Sequence, residues 1–209
     1  LDVLVTPNGV TGSRKQPFGR ALEFAHAAVR IVLKARRTDN TVGKLYVKNL
    51  KLTVPARLVC GGLKWDTGTK QYLAAPAAAD LVINHSGQIL STEDTQVAVF
   101  YLTPCSPADL LTDLTGTGGT PGLTLTADVA KDINFTTGAR NASFPILDGN
   151  LNFMDQFGSP VTQLKGGESY ETTLEFDIDS FTLEGEEKEW EDGGKMTVPV
   201  VVPEPTPGP

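Results

Sequence analysis

The chain has 209 residues, of which 40% are hydrophobic and 21% charged, and this composition excludes disorder along its whole length. Its formal net charge is −7, from 25 acidic and 18 basic residues, which argues against binding to the phosphate backbone of nucleic acids. No apolar run reaches the roughly 20 residues that a membrane-crossing helix needs. The 21 glycines and 14 prolines recur between short apolar runs, which predicts an all-β fold of the sandwich type.

The first twenty residues are predicted to form a short strand and a basic loop. Residues 1–5 (LDVLV) are β-prone and lead into a Pro-Asn-Gly turn signal. The following residues, up to position 20, include Arg14, Lys15 and Arg20 and no acidic residue. A segment of this composition is typically a solvated loop.

Residues 21–37 carry two competing patterns. Apolar residues at helical spacing run from Leu22 to Leu33, whereas Val29, Ile31 and Leu33 alternate as in a strand. The residues alone therefore leave a helix and a strand open. A lone histidine among apolar neighbours, as His26 is, is typically a satisfied core residue.

Residues 44–54 (KLYVKNLKLTV) alternate in two short runs whose parity changes at Asn49-Leu50. A change of parity predicts either a bulge in one strand or a turn between two strands. Pro55 then limits the chain to a sheet edge or a loop.

The only two cysteines are Cys60 and Cys105. They are candidates for a disulfide in an oxidising compartment, or for two small buried apolar residues. Both interpretations stay open.

Residues 60–79 are predicted to form loops or small hairpins, in which Trp65 and Tyr72 are the only aromatic residues. Paired aromatic rings on a loop can stack on a sugar, so these two residues are candidates for a glycan site. The commoner arrangement is that such rings cover the core of the sandwich.

Residues 81–102 contain three predicted strands. Residues 81–83 and 88–90 flank a turn signal, Asn84-His85-Ser86-Gly87, and so predict a hairpin. His85 has no metal ligand at suitable spacing beside it, so it does not predict a metal site. Residues 97–102 are predicted to form a buried strand that Pro104 ends.

The following part of the chain predicts a glycine-rich connection at residues 115–122 and a strand at residues 123–129. The connection is not a phosphate-binding loop, because its Gly-Lys-Ser/Thr ending is missing. Phe144, Phe153 and Phe157 are predicted to be core anchors in the strand and loop that follow.

Residues 166–190 contain the clearest strand pattern of the chain. Apolar and acidic residues alternate from Tyr170 to Ser180, which predicts one buried and one solvated face. The acidic run at residues 184–192 predicts a solvated face, because adjacent like charges must stay hydrated. No pair of carboxylates and no nucleophile–base set can be singled out, so the chain is predicted not to be an enzyme and to need no cofactor or metal.

Near the C-terminus, four apolar residues share one parity: Met196, Val198, Val200 and Val202. They predict an apolar strand before a proline-rich tail. Pro199 cannot donate to the hydrogen-bond ladder, which favours an edge strand within the same molecule.

The C-terminal stretch has a G-x-x-Y motif, an alternating strand and a terminal acidic segment that ends in Trp190. In these features it resembles fimbrillins, the pilus subunits of Bacteroidales bacteria. Residues 24–31 (FAHAAVRI) are similar to the family's F-x-H-A-x-x-(K/R)-I segment, with the strand-like residues 1–5 before it. Residues 97–107 loosely match the family's apolar strand that runs into a proline-containing loop.

This resemblance implies a transthyretin-like Greek-key β-sandwich, in which residues 21–37 form a strand with an irregularity near His26. It implies a structural or adhesive pilus subunit whose partners are other pilus subunits, and host or microbial glycans or proteins. The strand with Met196, Val198, Val200 and Val202 would then complete the sandwich of another subunit by β-strand addition, which carries equal weight with an edge strand in the same molecule. Arg14 or Arg20 would be the site where a trypsin-like protease removes the N-terminal strand. A surface carbohydrate-binding adhesin module that does not polymerise is the alternative.

The resemblance also implies a domain division and a location. Residues 1–20 would form the N-terminal strand and basic loop, residues 21–190 the sandwich, and residues 191–209 the C-terminal strand and tail. Fimbrillins are exported as lipoprotein precursors to the outer surface of the cell. The leader and most of a first β-domain are expected to be missing from this chain.

Overall fold

The structure is a computed structural model, and it describes residues 1–6, 24–37, 46–89, 92–112, 119, 121–145, 153, 160–176 and 197–200. Apart from a 3-10 turn at Pro107–Leu110, no helix occurs among these residues. The all-β prediction is therefore confirmed.

Twelve strands follow one another along the described part of the chain. They are β1 (Leu4–Val5), β2 (Ala25–His26), β3 (Val29–Arg37), β4 (Tyr46–Val54), β5 (Cys60–Asp66), β6 (Gln71–Pro76), β7 (Leu81–Ile89), β8 (Thr95–Leu102), β9 (Thr124–Ala130), β10 (Arg140–Pro145), β11 (Ser169–Phe176) and β12 (Thr197–Val200).

Two four-stranded sheets carry most of the fold. One has the strand order β10-β9-β4-β7 and is antiparallel throughout. The other has the order β12-β11-β3-β8, in which β3 and β8 are antiparallel while β11 runs parallel to both β3 and β12. The pairs β1-β2 and β5-β6 form two separate two-stranded sheets.

One hydrophobic cluster joins the inner faces of the two large sheets, which is the arrangement of a β-sandwich. Phe144 on β10 and Phe176 on β11 belong to different sheets, are almost fully buried, and pack edge to face. Alternate residues of β3, among them Val29, Ile31 and Leu33, line the same core.

The alternation predicted for residues 170–176 is confirmed. Tyr170, Thr172, Leu174 and Phe176 point into the protein and are at most 9% exposed. On the opposite parity, Glu171 is exposed and accepts a hydrogen bond from Lys34 on β3 at 2.6 Å. Residues 177–190 of the predicted pattern lie outside the described residues.

The parity change in residues 44–54 is a bulge within β4, and not a turn between two strands. The register with both neighbouring strands shifts around Asn49, which adopts a φ of 53°. Asparagine tolerates this left-handed conformation better than most residues. Its amide donates to Asp128 on β9 at 2.7 Å, which holds the bulge against the neighbouring strand.

The hairpin predicted around Asn84-His85-Ser86-Gly87 is wrong. These residues lie within the continuous strand β7, where His85 pairs with Leu50 and Asn84 with Lys51. Local turn preference is overridden here because β7 completes the antiparallel sheet beside β4.

The strand interpretation of residues 21–37 is confirmed for its described part. β2 and β3 are separated by Ala27 and Ala28, so the irregularity directly follows His26. The predicted strands at residues 97–102 and 123–129 correspond to β8 and β9. Phe144 and Phe153 are buried core residues, as predicted, whereas Phe157 lies outside the described residues.

Candidate functional site: the terminal strands and the exposed hairpin

The N-terminal segment, residues 1–6, lies between β2 and the first residue of β5. β1 pairs with β2 in antiparallel register, and the amide of Ala27 donates to the carbonyl of Val3 at 2.9 Å. On the other side, the backbone nitrogen of Leu1 donates to the carbonyl of Cys60 at 3.3 Å. The segment therefore links the strand β2 to the base of the β5-β6 hairpin.

A small hydrophobic cluster lies beneath this segment. We call it the N-terminal cluster; it consists of Val3, Ala28 and Cys60, with Ala27, Ala74 and Tyr101 packed against it. Val3 is the one buried side chain among residues 1–6, whereas Leu1 and Leu4 are 66% and 51% exposed. Loss of the segment would uncover Ala28 and Cys60 but little else of the core.

His26 strengthens the attachment of the segment and is not the core residue that its apolar neighbours predicted. Its side chain is exposed, and its Nδ1 lies 2.9 Å from the carboxylate of Asp2. The partner is 24 residues away in the chain, so the sequence around His26 carried no signal for this pair.

The junction between β2 and β3 is held from a second side by the Gly166-Gly167 turn. The amide of Gly167 donates to the carbonyl of Ala28 at 3.0 Å. A Cβ on Gly166 would lie 2.5 Å from the carbonyl oxygen of Ala27, so only glycine fits this close approach. Because these contacts do not involve residues 1–6, they would hold the junction in place without the N-terminal segment.

β12 is the edge strand of its sheet, where it pairs with β11 in parallel register from Thr197 to Val200. This is the intramolecular pairing that the sequence left open, and an edge position is where Pro199 is tolerated. Of the four predicted donor residues, Val198 and Val200 lie in β12, while Met196 and Val202 lie outside the described residues. Arg14 and Arg20, the predicted cleavage sites, also lie outside them.

Trp65 and Tyr72 do not cover the core. They face each other across the β5-β6 hairpin, with ring centroids 5.1 Å apart and an interplanar angle of 66°. Their side chains are 48% and 54% exposed. The prediction that these rings cover the sandwich is wrong because the hairpin forms a sheet of its own instead of joining either large sheet.

The tip of this hairpin is closed by Asp66. Its carboxylate accepts hydrogen bonds from the amides of Gly68 and Thr69 at 2.7 and 2.8 Å, and these bonds lower the pKa of Asp66. Lys70 adopts a φ of 54°, which completes the turn. The side-chain bonds of Asp66 fix the strands between which Trp65 and Tyr72 pair.

Cys60 and Cys105 are free thiols in the structure and do not form the disulfide that the sequence left open. They pack in different places, Cys60 in the N-terminal cluster and Cys105 against the main core. Burial, followed by the nearby Asp109 carboxylate, raises the pKa of Cys105 to about 11. Its thiol is therefore protonated at neutral pH.

Two further observations concern the described residues. No three His, Cys, Asp or Glu side chains among them are grouped so that they could hold a metal ion. None of their helical turns is long or apolar enough to cross a membrane.

These strands define an all-β, sandwich-like protein with a lightly attached N-terminal strand, an edge-lying C-terminal strand and an exposed aromatic hairpin. No protein-family model matches the chain, and no curated protein matches its sequence.

Proposed function

We propose that this protein is a structural or adhesive subunit of a bacterial cell-surface pilus and that it assembles by β-strand exchange. The observation that carries this proposal is the light attachment of residues 1–6, which contribute a single buried side chain, Val3, to the N-terminal cluster. A strand held in this way can be replaced by a strand with more apolar side chains. The proposal includes the finer fold type, a transthyretin-like Greek-key sandwich.

The energetics favour such a replacement. Burial of one aliphatic side chain contributes about 1.5 to 3 kcal/mol, which is the contribution expected of Val3. The four apolar residues of one parity near the C-terminus would together contribute roughly 6 to 12 kcal/mol before ordering costs. An incoming strand that buries more than one of these four side chains would gain more apolar burial than the loss of Val3 costs.

The length of chain before β12 supports an exchange between molecules. Residues 177–196 separate β11 from β12. At about 3.3 Å per residue, this stretch spans up to roughly 65 Å, which is enough to reach a neighbouring molecule. An edge strand on a long connection can pair with its own sheet or with another copy at similar cost, as in domain swapping.

In this proposal the N-terminal strand is removed by cleavage at Arg14 or Arg20 before assembly. The partners are other pilus subunits, identical or different, and the protein is exported as a lipoprotein precursor to the outer membrane surface. The alternative is a surface carbohydrate-binding module on the same fold that does not polymerise.

The test is assembly after limited trypsin treatment, followed by light scattering and negative-stain microscopy. We expect filaments or ladders from the full chain after cleavage, and none from a chain that ends at Trp190. A chain with Arg14→Gln, Lys15→Gln and Arg20→Gln, which removes every trypsin site of the basic loop, should stay monomeric under the same treatment.

Two variants separate the donor role from general damage to the tail. Replacement of Met196, Val198, Val200 and Val202 by serine should abolish polymers, whereas Thr197→Ser, on the opposite parity, should preserve them. Circular dichroism must show that all variants remain folded. If every cleaved sample stays monomeric, strand exchange is refuted and the non-polymerising alternative is favoured.

A further inference from the structure

The β5-β6 hairpin presents an exposed apolar surface that the proposed assembly does not use. Cross-strand pairing places Leu63 opposite Ala74 and Trp65 opposite Tyr72, so these four side chains share one face of the hairpin. We call this the aromatic face. Leu63, Trp65 and Tyr72 are between 40% and 54% exposed. Adjacent exposed apolar side chains of this size form a contiguous surface of the kind that serves as a binding site.

The geometry of the two rings leaves a stacking surface free. Trp65 and Tyr72 are inclined at 66°, in an edge-to-face arrangement. In such a pair, the ring that contributes its edge keeps both of its faces clear of the other ring. A flat ligand can therefore stack on one ring while the second ring forms a wall beside it.

The charge on the hairpin indicates the chemistry of the ligand. The aromatic face carries no charged side chain, because Lys64 and Asp66 belong to the opposite parity of β5. The Asp66 carboxylate already accepts two backbone amides in the turn. Within the paired strands, a phosphate or another anion would find no cation on this face, since Lys70 lies in the turn, and a cationic ligand would find no carboxylate. The matching ligand is neutral, with an apolar surface of ring size.

Polar groups border the same face and suit a ligand that also carries hydroxyl groups. The Tyr72 hydroxyl lies at the end of one ring, and Thr67 lies in the exposed turn that follows β5. A pyranose sugar combines these requirements, since one side of its ring presents C–H groups and its rim presents hydroxyls.

We propose that the aromatic face binds a neutral pyranose sugar, which stacks on Trp65 or Tyr72. The hairpin is organised for this before the ligand arrives. Asp66 closes the tip, while at the base Cys60 is buried and Ala74 packs against the N-terminal cluster. A rigid pair of rings loses little conformational entropy on binding.

The test uses the intrinsic fluorescence of Trp65. The chain contains two tryptophans, so Trp190→Phe leaves Trp65 as the sole reporter. The full chain with this substitution is titrated with neutral oligosaccharides of glucose, mannose, galactose and N-acetylglucosamine, and binding is checked by calorimetry. At least one sugar should shift the Trp65 emission with saturation.

Three variants test whether the aromatic face is responsible. In calorimetry on the natural background, Trp65→Ala should weaken binding of that sugar at least about tenfold. Tyr72→Ala should weaken sugar binding as well, whereas Tyr72→Phe should retain the part of the affinity that comes from stacking on the ring. The matched control is Leu73→Ala, because Leu73 is similarly exposed, at 43%, on the opposite face of the same hairpin. It should leave binding unchanged.

Three results would overturn the proposal. The first is the absence of saturable binding to every sugar in the panel. The second is binding that survives Trp65→Ala. The third is an emission change that follows protein concentration without sugar, together with a dimer in sedimentation velocity, which would assign the face to a second copy of the chain. Because uncleaved monomer is used throughout, failure of sugar binding does not bear on strand exchange.

Discussion

Phe144 and Phe176 lie on opposite sheets, and their ring centroids are 5.7 Å apart at an interplanar angle of 75°. Neither ring is more than 1% exposed. This edge-to-face contact joins an edge strand of one sheet, β10, to a central strand of the other, β11, and so contributes to the cohesion of the two sheets.

Phe144→Ala should lower the free energy of unfolding by about 3 to 5 kcal/mol, because it removes a buried aromatic ring and leaves a cavity between the sheets. Urea denaturation followed by circular dichroism measures the change. Ile133→Ala serves as control, since Ile133 is 51% exposed and its truncation should cost less than about 0.5 kcal/mol. Equal losses in the two variants would contradict the packing assigned to Phe144.

Gly61 and Gly62 are adjacent in β5 but meet different surroundings. A Cβ on Gly61 would lie 2.5 Å from the Cα of Ala77, whereas one on Gly62 would meet nothing within 4 Å. Gly61→Ala should therefore destabilise the protein by about 1 to 3 kcal/mol, because the backbone at Ala77 must move. Gly62→Ala should be neutral or stabilising by up to about 1 kcal/mol, since it restricts the unfolded chain. Thermal unfolding of the two variants measures both changes in stability. A larger loss of stability for Gly62→Ala than for Gly61→Ala would contradict the close approach at Gly61.

Asp132 makes stability depend on pH in the acid range. Its carboxylate accepts hydrogen bonds from the amides of Thr137, Thr136 and Asn134. The bonds from Thr137 and Thr136 lower its pKa from the ordinary value of 3.8 to about 2. A depressed pKa means that the folded state prefers the charged carboxylate. Its contribution is present above pH 4 and is lost as the pH falls towards 2.

Melting temperatures between pH 2 and pH 6 test this dependence. Asp132→Asn should melt at a lower temperature than the natural chain at pH 6, and the difference should shrink as the pH falls. Asp80→Asn is the control, because the Asp80 carboxylate accepts one backbone hydrogen bond, from Ala56, and lies outside this loop. Because Asp132 is unchanged in the Asp80→Asn variant, that variant should retain most of the fall in melting temperature that the natural chain shows as the pH falls. A constant difference between Asp132→Asn and the natural chain would refute the assignment.

Both cysteines should react slowly in the folded protein. Cys60 is 1% exposed, and the raised pKa of Cys105, about 11, leaves roughly one thiol in a thousand ionised at pH 8. Alkylation at pH 8 should be slow until guanidinium unfolds the chain, after which two thiols should be labelled without reductant. If no thiol is labelled after unfolding, the chain contains the Cys60–Cys105 disulfide instead.

The strands that were predictable from sequence are those whose pattern reports burial directly. Tyr170, Leu174 and Phe176 alternate with acidic residues because one face of β11 lies on the core and the other in water. The parity change at Asn49 likewise predicted a break in the pairing of β4. The choice between a bulge and a turn needed the neighbouring strands β7 and β9, which are distant in sequence.

The features that the sequence did not predict depend on partners far along the chain. The Asn84–Gly87 turn signal is locally sound, but pairing with β4 outweighs it. The exposure of Trp65 and Tyr72 follows from the separation of the β5-β6 hairpin from both large sheets, and residues 60–79 alone do not determine this. The roles of Asp2 and His26 become visible only when the N-terminal segment lies beside β2.

The parallel pairing of β3 with β11 affects how the chain acquires its structure. Arg30 and Ser169 are paired across these strands, although 139 residues separate them. The sheet that contains β3 therefore cannot close until β11 has been synthesised. Contacts of such long sequence separation slow folding, since the entropy of closing the loop is lost before the pairing is gained. Until β11 arrives, β3 keeps one edge unpaired, and the pairing of these two strands is expected to be a late step of folding.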